Sequence, residues 1–184
     1  MADRGRHGSL VPPELTIETE RLRLRPLAVA DVDDLHRLFT QPGVRKYLWD
    51  DEIIPRERTT AVVEKSVASF ETHGFGLWAL SLKGSAELIG FCGFFHIHEP
   101  PRLELLYGIA PDHWNKGLAT EAATAMNRYG FDGLGFERIE ASTDAPNAAS
   151  IRVMERAGMH FWKREMTNGL DTIYYAIDRA QPLD

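Results

Sequence analysis

Trp114-Asn115-Lys116-Gly117-Leu118-Ala119-Thr120-Glu121-Ala122 is the stretch on which the fold turns. It follows an apolar run, Leu103 to Ile109, and a turn at Pro111-Asp112, and it opens a helical pattern reaching about Tyr129. A strand that passes through a short loop into a helix start forms an anion site. The first helix amides have no internal partner, and the dipole puts partial positive charge there. Gly117 lets the backbone approach a ligand with no Cβ in the way, Ala119 keeps the next position small, and Lys116 adds a positive charge at the rim. The amides around Gly117 are therefore placed to wrap a pyrophosphate. Taken alone, the stretch also reads as a capped helix after a tight turn. Residue order excludes two sharper alternatives. A Walker A loop needs its lysine after the glycine, followed by Ser or Thr, and here the lysine comes first. A dinucleotide fingerprint needs spaced glycines that are absent.

A chain of 184 residues is expected to form one domain, with 1–14 as a flexible tail and 15–184 as a single folded unit. Apolar residues make up 43% of it, enough to build a core. The formal net charge of -6 argues against nucleic acid as a partner, because a phosphate backbone demands clustered cations. It suits an amine-bearing substrate. The single cysteine, Cys92, excludes an internal disulfide and a Cys-based zinc site. Its apolar surroundings, Leu88 to Phe95, point to a buried, inert thiol. No apolar stretch reaches the roughly 18 residues of a membrane span, and Met1 to Pro13 lacks the apolar core of a secretory leader. A cytoplasmic protein with no membrane partner is the expectation.

Outward from the central stretch, periodicity places the remaining elements. Thr16 to Pro26 alternates as a half-buried strand. Asp31 to Phe39 is a helix stopped by Gln41-Pro42-Gly43, and Lys46 to Pro55 an aromatic and acidic loop. A second helix, Arg56 to Glu71, ends at His73-Gly74. Strands Gly76 to Leu82 and Leu88 to His96 flank a hairpin loop, and Leu103 to Ile109 follows the breaker Glu99-Pro100-Pro101. Gly108 predicts a bulge or a close backbone approach. Beyond the central helix come strand Arg138 to Thr143, helix Asn147 to Ala157 closed by Gly158, and strands Met159 to Met166 and Leu170 to Ile177 around Asn168-Gly169. The pattern predicts an α/β (α+β) fold: a mixed, mostly antiparallel sheet, a central parallel strand pair from the βαβ unit, and helices on both faces.

This order resembles the GCN5-related N-acetyltransferase (GNAT) family, most closely its ribosomal-protein-alanine N-acetyltransferase, or RimJ/RimL-like, branch. Three segments carry the resemblance across Thr16 to Ile177. One is Glu20-Arg21-Leu22-Arg23-Leu24-Arg25-Pro26 with Asp31 downstream. The second is Trp114 to Ala119, against a family loop that reads Gln/Arg-x-x-Gly-x-Gly/Ala; Trp114 departs at the first position, where this branch commonly has an aromatic residue. The third is the Asn-led helix Asn147 to Met159. The resemblance implies acetyl-CoA as cosubstrate, no metal, and an N-acetyltransferase acting on a primary amine, either a protein N-terminus or a small molecule. A non-catalytic acyl-CoA-binding sensor is the alternative. The strand pair matching Leu103–Ile109 and Arg138–Thr143 would splay, and the pantetheine arm would insert between them.

Residue roles follow from the same resemblance. The pyrophosphate would lie on Trp114, Asn115, Lys116, Gly117, Leu118, Ala119 and Thr120. Strand amides near Gly108 and Ile109 would hold the arm and polarise the thioester carbonyl. Asn147 would donate to the arm, and Arg152 or Arg156 would reach the phosphates unless simply solvated. Glu104 is the candidate base; by periodicity alone it equally suits a solvent-facing glutamate paired with Arg102. The family often has an acidic tyrosine seven residues after the asparagine, but Met154 stands there, so Ser150 is the candidate acid, against a plain capping role. The acceptor side would use Tyr47, Trp49, Asp50, Phe75, Trp78, Phe94 and His96, although aromatic residues are core by default. His96, His98 and His113 lack a recognisable third-ligand spacing for a metal. A homodimer through the last two strands is compatible with the resemblance.

Overall fold

Leu22 and Leu24 turn one way in β2 (Leu22–Pro26) while Arg23 and Arg25 turn the other, and this alternation seats the strand on the core. A computed structural model describes residues 15–98 and 100–179; the expected tail at 1–14 and the breaker residue Glu99 lie outside them. The single strand expected over Thr16 to Pro26 is divided. Thr19 accepts a hydrogen bond from the Leu22 amide at 2.9 Å, turning the chain between β1 (Ile17–Glu18) and β2, which pair antiparallel.

Three helices follow: α1 (Val32–Phe39), α2 (Pro42–Leu48) and α3 (Arg56–His73). The sequence reading missed α2. Pro42 stops α1 but also occupies the first position of α2, where a missing amide costs nothing and its fixed φ suits the helix. The acidic, aromatic loop is thereby cut to residues 49–55. α3 ends on Gly74 in the left-handed conformation, and Ser66 accepts a hydrogen bond from the Leu77 amide at 2.8 Å, tying α3 to the sheet.

β3 (Leu77–Leu82), β4 (Gly90–Ile97) and β5 (Arg102–Ile109) complete a five-stranded sheet in the order β1-β2-β3-β4-β5, antiparallel throughout. After α4 (Leu118–Arg128), β6 (Arg138–Asp144) and α5 (Ala148–Arg156), the chain closes with β7 (His160–Thr167) and β8 (Leu170–Asp178) in a second sheet, β6-β8-β7. Asn168 and Gly169, with φ of 52° and 82°, make the tight turn between the last two strands. Two apolar clusters sandwich the larger sheet. Leu22, Leu24, Trp78, Leu80, Cys92, Phe94 and Leu105 face α4 and α5. Leu77, Ala79, Phe91 and Phe95 face α1, α2 and α3. Helices thus cover both faces, as expected. β5 and β6 lie side by side at the facing edges, with no ladder between them.

Gly108 makes no bulge. The β4–β5 register runs unbroken from Gly90 opposite Ile109 to Ile97 opposite Arg102, with Phe91 opposite Gly108. A Cβ at Gly108 would stand 2.5 Å from the Phe91 ring, so this glycine serves close approach instead. The register shift falls in β7, between Phe161 and Lys163.

Burial overturns part of the expected acceptor pocket. Trp78 is fully buried and packs edge-on against Phe70 and Tyr129 at 5.5 and 5.3 Å. Phe94 is buried in the same cluster, and Phe75 packs against His73 and Phe136. Strand alternation points Trp78 and Phe94 at the α4 layer, and Phe75, just ahead of β3, is buried by its aromatic neighbours. Trp78→Ala is expected to lower unfolding free energy by about 3–5 kcal/mol in urea titrations, as large-to-small changes do in a rigid core; a loss below about 1 kcal/mol would contradict this packing.

Candidate active site

The gap between β5 and β6 opens into a cleft of about 600 Å³. Val44, Tyr47 and Leu48 of α2, Leu106 to Ile109 of β5, and Ser142 and Thr143 of β6 line it. The Trp114–Thr120 loop, which adjoins α2 through Gly43, and the start of α5 complete the lining.

The loop is built to bind an anion. Asn115 and Gly117 both take positive φ, 58° and 76°, and α4 starts at Leu118 with no side-chain cap. Its first internal bond runs from the Glu121 amide to the Gly117 carbonyl at 3.0 Å. The amides of Leu118, Ala119 and Thr120 are left without helical partners at a dipole end, which fits a diphosphate. A clasp holds the loop from behind. Glu121 accepts from the Arg21 amide at 2.8 Å, the Arg21 Nε at 2.7 Å and the Thr19 hydroxyl; Arg21 Nη1 donates to the Lys116 carbonyl at 2.8 Å. Burial pushes the Glu121 carboxyl up, but the hydrogen bonds from Thr19 and Arg21 outweigh it and hold the group below its usual range.

Most of the expected loop residues line the cleft: Trp114, Asn115, Gly117, Leu118, Ala119 and Thr120. The Trp114 indole donates to the Ile109 carbonyl at 2.6 Å, and its ring lies so close to Gly43 that a Cβ there would stand 2.4 Å away. Ile109 therefore lends its carbonyl to Trp114 while its side chain is buried in the core. Lys116 corrects an expectation: its Nζ donates to the Asp112 carbonyl at 2.8 Å, and the residue is absent from the cleft lining. Arg152 and Arg156, exposed on α5, line the cleft and make no ion pair among the described residues.

At the start of α5, Asn147 caps the helix by accepting from the Ser150 amide at 3.3 Å, and its Nδ2 donates to Thr143 Oγ1 at 2.9 Å. Ser150 Oγ lies 2.8 Å from the Tyr107 hydroxyl, which also donates to the Ser150 carbonyl at 3.0 Å. Burial raises the Tyr107 pKa, and the Ser150 hydrogen bond lowers it only in part. Tyr107 was missed because the search for an acid followed helix spacing to Met154. Its signal lay in strand alternation: three residues from Glu104, it projects from the opposite face of β5.

Glu104 is 1% exposed, with neither carboxylate oxygen in a full hydrogen bond among the described residues. Burial raises its pKa from an ordinary 4.5 to about 7, with Ser142 pulling it down and the Glu140 charge pushing it up. It points to the α2 side, where Ser142 lines the cleft. The solvent-facing alternative is thus excluded. His98 Nε2 approaches Glu104 Oε1 at 3.1 Å, a polar partner that the sequence did not name for a histidine read as solvated or hydrogen-bonding rather than metal-binding.

Of the expected acceptor residues, Tyr47 lines the cleft and the others do not. Trp49 turns to Phe39, at 5.4 Å, and beneath the Arg58 guanidinium, because its ring has an aromatic partner inside the fold. Asp50 is exposed at a φ of 51°, where its charge joins burial in raising the Asp144 pKa. His96 is tilted against Phe75 at 6.1 Å.

A cleft between unpaired strands, with an open helix N-terminus on its wall and a buried carboxyl behind Ser142, can hold an anionic ligand beside a proton acceptor. The chain belongs to the GNAT acetyltransferase family: the model of the Acetyltransferase (GNAT) domain matches residues 21–160. Uncharacterized N-acetyltransferase p20 of Bacillus licheniformis is 33% identical over 144 residues, covering 76% of this chain and 79% of that protein. The spermidine N(1)-acetyltransferase of Escherichia coli K12 is 24% identical over 137 residues, covering 74% and 72%. The structure of RimL, a ribosomal L7/L12 alpha-N-protein acetyltransferase in complex with coenzyme A, superposes with a TM-score of 0.72 at 20% identity, over 89% of this chain and 97% of that one.

The Glu104 carboxyl gives the site a pH signature. Its folded pKa lies above the ordinary value, so the proton it binds stabilises the fold below about pH 4.5, and this contribution is lost as pH rises through about 7. Glu104→Gln, neutral at every pH, is expected to match the native protein near pH 4 and to exceed its stability at pH 8 by an amount on the order of 3 kcal/mol. Urea midpoints at the two pH values check this; equal midpoints at pH 8 would contradict a buried carboxylate.

Proposed function

We propose that this protein is an acetyl-CoA-dependent N-acetyltransferase that moves the acetyl group to a primary amine by direct attack on the thioester. The observation that carries the reading is the disposition of two proton-handling groups on opposite faces of β5. Glu104 lies toward α2, and the Tyr107–Ser150 pair lies toward α5. Acetyl transfer to an amine has the same polarity. A proton must leave the ammonium on one side of the thioester, and the departing thiolate gains one on the other.

The amides of Leu118 to Thr120, with Arg152 and Arg156 at the mouth, would hold the diphosphate, and the free edges of β5 and β6 the pantetheine arm. Strand amides beside the acetyl group would polarise its carbonyl. Glu104, with its pKa near 7, takes the amine's proton through the Ser142 end of the cleft, directly or by one water. The Ser150 hydroxyl, hydrogen-bonded to Tyr107, gives its proton to the thiolate and takes in return the second proton released by the amine nitrogen. A thiol's ordinary pKa near 8.5 makes this second role less demanding than the first.

Tyr47 and the apolar end formed by Val44 and Leu48 receive the acceptor. Both acceptor classes have a relative in support: spermidine acetylation by one, acetylation of a protein α-amine by the other. The reading places the reaction in the cytoplasm, which suits a chain whose one thiol, Cys92, is buried.

Free thiol release from acetyl-CoA, followed in parallel with spermidine and with alanine- and serine-initiated peptides, tests the reading. Turnover with at least one of these amines is expected. Glu104→Gln should then lose about 10²–10⁴-fold in kcat, and Ser150→Ala less. A thermal shift with coenzyme A but no thiol release with any amine would favour a sensor over an enzyme.

A further inference from the structure

Acetylation of an ammonium leaves one proton over. The nitrogen enters with three hydrogens and ends with one, the thiolate takes one of the two released, and the other must reach solvent. On the reading above, that proton passes to Glu104, which is 1% exposed and has no full hydrogen bond among the described residues. A base so deeply buried needs a way to discharge between turnovers.

His98 stands on that way out. Its Nε2 lies 3.1 Å from Glu104 Oε1 and 3.1 Å from Ser142 Oγ. The side chain of Glu104 is 0% exposed and that of His98 16%, so the imidazole bridges the carboxyl and water. The residue is set there by the turn after β4, where it takes a φ of 68°, and by the Tyr174 ring, 5.9 Å away and tilted against it. A left-handed, non-glycine residue is uncommon and persists only where the surroundings hold it.

We propose that His98 carries the proton of Glu104 to solvent in each catalytic cycle. The proposal rests on the reading of Glu104 as the base. The carboxyl O–H gives its proton to His98 Nε2, leaving a carboxylate and an imidazolium; the imidazolium then loses a proton to water and the ring returns to neutral. His98 touches no reacting atom and acts through Glu104. The charges acting on it are Arg102 on β5 and Lys163 and Glu165 on β7, while Glu140 on β6 and Arg102 act on Glu104. Burial, with help from Arg102 and Lys163, holds the imidazole below its usual pKa, so it stays neutral and able to accept.

Two variants separate a relay from a mere packing role. His98→Asn tolerates the left-handed backbone and keeps a polar side chain beside Ser142, but it cannot shuttle protons. His98→Gly suits the same φ and leaves room for free imidazole. With spermidine or the alanine-initiated peptide as acceptor, both variants are expected to lose about tenfold or more in kcat, with the KM for acetyl-CoA little changed. Added imidazole should restore His98→Gly and leave Glu104→Gln unrescued. Native rates in both His98 variants, or a loss that imidazole does not restore, would overturn the relay while leaving Glu104 as base. A fully active Glu104→Gln would overturn both. Nitrogen NMR of the His98 ring needs no acceptor. The Nε2 signal should respond to Glu104 titration at about pH 7 in the native protein and lose that response in Glu104→Gln. An identical titration in the two proteins would count against the coupling that a relay requires.

Discussion

Unpaired strand edges inside a fold are tolerated only where their N–H and C=O groups find other partners. β5 closes one sheet and β6 opens the other, and between them no ladder forms. That missing ladder creates the cleft, and most of the site depends on it. It leaves backbone donors and acceptors facing a space lined by two helix starts, those of α4 and α5. A coenzyme arm with amides of its own is a chemically matched filler for such a gap.

The rest of the architecture keeps the gap open and aimed. Thr19, Arg21 and Glu121 tie β1 and β2 to the first turn of α4, so the amide cradle is set by contacts about a hundred residues apart in sequence, with |i−j| of 102 and 100. Trp114 braces the same loop against Ile109 and Gly43, linking the cradle to β5 and α2. Because β5 alternates, one strand presents Glu104 to one side and Tyr107 to the other. Asn147 and Thr143 fix the start of α5 so that Ser150 meets Tyr107. One unzipped strand therefore organises coenzyme binding and both proton-handling groups.

The parts of this legible in the sequence were local. Gly117 after an apolar run, Asn147 three residues before Ser150, and Asn168-Gly169 between alternating strands each act through their own backbone, so their residue types announced them. Pro42 misled because the same ring that ends one helix is favoured at the start of the next. Trp78 and Phe94 misled because an aromatic residue in a strand carries no mark of depth; only the α4 layer over them settles it. Lys116 was read as a charge at the rim of the diphosphate site, but its side chain folds back onto the Asp112 carbonyl four residues earlier, a contact that its residue type does not announce. The approach of His98 to Glu104 joins the turn after one strand to the third residue of the next, and the Tyr107–Ser150 contact joins a strand to a helix 43 positions on. Neither is a spacing that a linear reading can hold.

Amide hydrogen exchange of the native protein, with and without coenzyme A, bears most directly on the central claim that the open cleft and the start of α4 receive the coenzyme. Slower exchange should appear at Leu118 to Thr120 and along Leu105 to Ile109 of β5, the segments whose free donors the account assigns to the ligand. Saturating coenzyme A that leaves those amides unchanged while slowing exchange elsewhere would contradict it.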